Sequence, residues 1–285
     1  GMSESPTGPL QKEQEVGRII SRIRLKKRIV VKIQITIFKN QIISKSQIPT
    51  TGPQAAEANV QLGLAYLQSG DVQRAHQKLL LAEQQAPGSM QVQGAMGYFL
   101  ESTGSLPSAN AYYRRAIALN PKSGAAQNNY GTYLCRQGRY LEADHHFLLA
   151  LQDSTYLNTA QVYENAGLCA MQIPDRKKAS AYFTQAVTQD PNRSMSWLEL
   201  GRISYQEKDY QQAQQYLDHY MQLTKEPAPN ALWLGAVLAR ALGNQSAAGR
   251  YTLMLQTRFP NSDAYRALIK TPKLKIKPKN KQLYY

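Results

Sequence analysis

His145 and His146 follow Asp144, and Cys135 and Cys169 are the only cysteines in the chain. Imidazole, thiolate and carboxylate groups ligate metals and serve as bases or nucleophiles. Their spacing here argues against both uses. Adjacent positions on a helix point in different directions, so His145 and His146 cannot hold one ion from a single face. His76 and His219 stand alone, and no histidine is placed to activate either cysteine. A bridge between the cysteines needs Cα atoms within about 7 Å, whereas packed helix axes usually run about 8–10 Å apart. A bridge is open to the chain, but two small buried thiols are the expectation. The GxxxxGK[ST], GxSxG, HExxH and dinucleotide fingerprints do not occur. The expectation is a protein with no catalytic residue, no metal and no cofactor, and so not an enzyme.

The elements that carry these residues are repeats. Six hydrophobic-glycine pairs contain Gly63, Gly97, Gly131, Gly167, Gly201 and Gly235, at steps of 34, 34, 36, 34 and 34 residues. Twelve residues after each glycine stands an alanine, from Ala75 to Ala247, and four further on a large apolar residue: Leu79, Tyr113, Phe147, Phe183, Leu217 and Tyr251. Pro87, Pro121 and Pro191 close three of the units. A 34-residue period with this pattern is that of the tetratricopeptide repeat, a helix–turn–helix unit. Glycine on the first helix and alanine on the second allow close approach, and the large residue one turn along fills the adjacent gap. Gly70, Gly104, Gly138 and Gly243 mark the turn inside a unit.

The fold expected is therefore all-α: a right-handed superhelix of six units, at 56–89, 90–123, 124–157, 160–193, 194–227 and 228–261. A capping helix at 262–270 would cover the last apolar face. Residues 1–55 read as a basic arm and residues 271–285 as a lysine-rich tail. The net charge of +15 belongs to these ends: residues 16–55 carry +9 and residues 271–285 carry +5, both without an acid. Such ends could meet an anionic membrane surface or nucleic acid. No run approaches the ~20 apolar residues of a membrane-spanning helix.

Arrays of this kind bind along the first helices, at places two to three residues before the glycine and one, four and five after it. Here those places give Leu64, Tyr98, Asn128, Thr132, Arg136, Glu164, Leu168, Leu198, Arg202 and Tyr205. The lining mixes apolar anchors with amides and a few arginines. It suits an extended or helical peptide, and no nucleic acid is expected there.

Two stretches say more than the repeat. "NNYGTYLCRQGRYLEADHHFLLALQDSTY" (128–156) and "YENAGLCAMQIPDRKKASAYFTQAV" (163–187) resemble the PilF/PilW family of type IV pilus biogenesis proteins. "VQLGLAYLQSGDVQRA" (60–75) resembles that family's first unit. The resemblance implies a protein-binding scaffold on the periplasmic face of the outer membrane. It would assist secretin assembly or pilus stability, with the secretin or another assembly factor as partner. It also implies a lipid anchor, although no cysteine precedes Cys135 in this chain.

Overall fold

A computed structural model describes residues 51–270. The basic arm and the lysine-rich tail fall almost wholly outside the described residues.

Thirteen helices and no strand occur among the described residues, arranged as consecutive antiparallel pairs. They are α1 (Pro53–Gln68), α2 (Val72–Gln85), α3 (Met90–Ser102), α4 (Leu106–Leu119), α5 (Gly124–Arg136), α6 (Tyr140–Leu151), α7 (Thr159–Ala170), α8 (Arg176–Gln189), α9 (Ser194–Gln206), α10 (Tyr210–Leu223), α11 (Pro229–Ala241), α12 (Gln245–Arg258) and α13 (Asp263–Lys270). The chain divides into two compact units at Asn129/Tyr130, within α5.

Side-chain chemistry fixes where these helices begin and end. Asp71, Asp175, Asp209 and Asn244 accept hydrogen bonds from the backbone N–H three residues on, which satisfies a donor that the first turn leaves open. Gly70, Gly104, Gly138 and Gly243 take positive φ at the turns between paired helices. Lys208 occupies the same turn place in the fifth repeat and adopts φ 64° although it is not glycine. The closing prolines are capped from ahead. Gln93 Nε2 donates to the Pro87 carbonyl at 3.0 Å, Gln127 Nε2 to Pro121 at 2.7 Å, and Trp197 Nε1 to Pro191 at 2.8 Å.

The spacing of glycine and large apolar residue becomes a direct contact. A Cβ placed on Gly167 would meet the Phe183 ring at 2.7 Å, on Gly131 the Phe147 ring at 2.9 Å, and on Gly235 the Tyr251 ring at 2.8 Å. In the first unit a Cβ on Gly63 would meet Leu79 at 2.7 Å. The large residue thus covers the glycine itself rather than a neighbouring gap. Gly201 is the exception: its nearest such neighbour is Leu234 of α11, at 3.2 Å.

In the first unit the core gathers Val60, Tyr66, Leu79, Val92, Met96 and Phe99. In the second, Phe183, Leu200 and Ile203 form one cluster. Leu198, Leu217, Leu232, Leu238 and Leu255 form another, which α13 covers with Leu268, Ala264 and Tyr265.

Candidate functional site

Two helices of the second unit place the site. The last residues of α5 and the body of α7 are first helices of successive repeats. Where they face one another, the structure joins Cys135 to Cys169 as a disulfide with Cα atoms 5.8 Å apart. The expectation of two buried thiols is thereby corrected. The separation of helix axes misled it: each Cα lies about 2.3 Å off its own axis. Residues facing each other therefore come several ångströms closer than the axes do. Cys135 also stands four residues after its glycine and Cys169 only two after its own, so the bond joins different places in the two repeats.

Beside the disulfide lies a pocket of about 450 Å³. Phe147 and Cys135 contribute apolar wall, and Leu168 adds an aliphatic side chain that is 36% exposed. Thr132, Asn165, Gln172 and Tyr140 supply hydroxyl and amide groups. Asn165 Nδ2 donates to Thr132 Oγ1 at 3.4 Å, which ties α7 to α5 across the pocket. Among the described residues, Arg136 is the only charged one in the lining. The pocket can therefore take an apolar side chain and present hydrogen-bonding groups and one cation to the polar groups around it.

Three of the sequence-derived groove residues, Thr132, Arg136 and Leu168, meet in this pocket. Glu164 is already engaged: it accepts from Ser196 Oγ at 2.7 Å and from Arg193 Nη1 at 3.3 Å, linking the fourth and fifth repeats. Arg202 is held by Glu199 through contacts of 2.9 and 2.8 Å. Tyr205 packs on Trp233 and Tyr210. Leu198 is 1% exposed and belongs to the core rather than a surface. In the first unit, Tyr98 is 45% exposed, Leu64 is half-buried against the core, and Asn128 is buried. Sequence reasoning did not single out Asn165, Gln172 or Tyr140. Asn165 and Gln172 stand two before and five after Gly167, so the same register contained them. Tyr140 opens a second helix, where that register does not look.

The histidine pair does not converge on a metal. Among the described residues no three His, Cys, Asp or Glu side chains group as ligands. His146 stacks edge-on against Tyr130 at 4.7 Å, and burial lowers its pKa, with His145 adding to the effect. Asp144 accepts from Lys178 Nζ at 2.6 Å and Tyr182 Oη at 2.7 Å, joining α6 to α8. Burial and that carboxylate raise the Tyr182 pKa. These contacts hold repeats together.

Comparisons with known proteins agree with this architecture. Tetratricopeptide-repeat profiles match residues 41–89, 112–145 and 165–222. The type IV pilus assembly protein PilF of Pseudomonas aeruginosa is 32% identical over 213 residues, spanning 75% of this chain and 84% of PilF. A solved structure of Pseudomonas aeruginosa PilF superposes with a TM-score of 0.69 at 31% identity, covering 76% of this chain and 97% of the other. PilW, described as a widely conserved type IV pilus biogenesis factor, gives 0.67 at 26% identity over 76% of this chain and 99% of PilW.

Proposed function

The chain belongs to the PilF/PilW family of type IV pilus biogenesis proteins, and from that premise we propose that it is an envelope scaffold whose Arg136 pocket docks a segment of the pilus secretin. The observation that carries the reading is the pocket itself. It combines apolar wall, amide and hydroxyl groups and a single cation on rigid helices, which is how helical arrays grip extended peptides. The disulfide beneath it supports a periplasmic location, because such bonds persist in oxidising compartments and are rare in the cytosol. No step of this role calls for catalysis.

The test is retention of the purified secretin on the immobilised protein. Arg136→Glu and Leu168→Asp each reverse one property of the pocket without touching the core. Each should weaken retention about tenfold, the worth of one good interfacial contact, with helicity unchanged. Retention equal to that of the unaltered protein contradicts the assignment.

A further inference from the structure

The Arg136 pocket has a polarity as well as a shape. The third and fourth repeats carry six acidic side chains, and none of them lines it. Each is engaged elsewhere. Glu142 accepts from Arg139 Nε at 2.7 Å, Asp144 from Lys178 Nζ at 2.6 Å and Asp153 from Thr155 Oγ1 at 2.6 Å. Glu164 accepts from Ser196 Oγ at 2.7 Å, and Asp175 and Asp190 accept from the backbone N–H groups of Lys178 and Asn192. Among the described residues the lining therefore offers a guanidinium and no carboxylate. That makes it complementary to an anion and not to a cation.

Depth separates the two kinds of chemistry. Phe147 is 1% exposed and forms the floor, with Cys135 half-buried beside it. Arg136, Leu168 and Gln172 are exposed and form the rim, where a partner can reach them from solvent. A guanidinium at the rim above an apolar floor fits a carboxylate with an apolar side chain next to it. The apolar group descends onto the Phe147 ring, while the carboxylate stays at the wet edge against Arg136. A phosphate group carries up to two charges and calls for more than one cation. Nucleic acid calls for a cluster of them.

We propose that the pocket selects a carboxylate flanked by a large apolar side chain in an extended segment of its partner protein. Arg136 pairs with the carboxylate, Gln172 Nε2–H donates to the same group, and Phe147 and Leu168 take the apolar side chain. The proposal rests on the reading of this pocket as a docking site and adds which groups of the partner it takes. An acidic side chain within the segment and the free carboxylate at a chain end offer the same chemistry.

Leu168 reports on the pocket directly. Full-length protein carrying ¹³C-methyl leucine is titrated with short peptides, and the Leu168 methyl resonances are assigned with Leu168→Met. Three probes are used, all acetylated: a glutamate between two leucines with an amidated end, its glutamine counterpart, and a pair of leucines ending in a free carboxylate. The glutamate peptide, the free-ended peptide or both should move Leu168 saturably and bind about tenfold more tightly than the glutamine peptide, the worth of one charge-assisted pair. Whichever carboxylate binds more tightly identifies its source in the partner. Arg136→Gln should abolish the preference and Arg136→Lys should restore part of it, both with unchanged circular dichroism. If the glutamine peptide moves Leu168 as readily as the other two, the carboxylate preference is overturned and the docking reading stands. If no peptide moves Leu168 at millimolar concentration while secretin retention still depends on Arg136, this proposal fails alone. If retention is also insensitive to Arg136→Glu and Leu168→Asp, the docking reading fails with it.

Discussion

Cys135 and Cys169 lie 34 residues apart and are bonded, although the glycines of their two repeats are 36 residues apart. The bond therefore joins different places in the repeat. It closes a loop spanning the second helix of the third repeat and nearly all of the first helix of the fourth. By the chain-entropy argument a loop of this length contributes about 3–4 kcal/mol. Cys135→Ser, Cys169→Ser and the double variant should lower the midpoint of thermal unfolding alike, and a reductant should lower only that of the unaltered protein. A reductant that leaves its midpoint in place would show that the bond carries no stability.

The Gly167–Phe183 contact predicts an overpacking cost. Gly167→Ala places a methyl group 2.7 Å from the Phe183 ring, and extra volume in a packed interior costs about 1–3 kcal/mol. Gly88 has open space around it, so Gly88→Ala should change little. Phe183→Leu should cost less in the Gly167→Ala background than alone, since the two sites are coupled. Additive effects in urea titrations would contradict the contact.

Lys208 predicts a gain. A residue with a Cβ in the left-handed region costs about 1–2 kcal/mol, of which glycine returns roughly 0.5–1 kcal/mol as extra chain entropy. Lys208→Gly should therefore stabilise the protein by several tenths of a kcal/mol, and Lys208→Ala should not. Equal effects of the two substitutions would mean that the turn at φ 64° is not strained.

His146 predicts a pH dependence. Its folded-state pKa lies below the ordinary value of 6.5, chiefly through burial. A base with a lowered folded pKa contributes stability that is present above its unfolded pKa and is lost as the pH falls from there through the folded value. Unfolding midpoints should drop as the pH falls below the ordinary value of 6.5 and level off once it has passed the lowered folded value. His146→Leu should flatten that drop. An unchanged slope in the variant would place the dependence elsewhere.

The repeat was legible because packing between paired helices imposes a strict period on small and large residues, and Gly131, Ala143 and Phe147 display it openly. The binding places were legible only as a register. Register names a helix face, but neighbouring repeats decide how much of that face they cover. Leu198 and Asn128 are covered, while Thr132, Arg136 and Leu168 open onto a pocket. The Cys135–Cys169 bond depends on rotation about two helix axes, which a spacing rule does not carry. That Trp233 Nε1 and Arg240 Nη1 are buried without an acceptor among the described residues is a fact of three-dimensional neighbourhood with no trace in the chain.

A role of the Arg136 pocket in secretin assembly is open to test in the source cell, with Arg136→Glu and Leu168→Asp introduced together at the native locus. Detergent-resistant secretin multimers are measured beside the level of the variant protein. If the pocket docks the secretin, multimers fall sharply while the variant accumulates normally. Multimers at the unaltered level would contradict it.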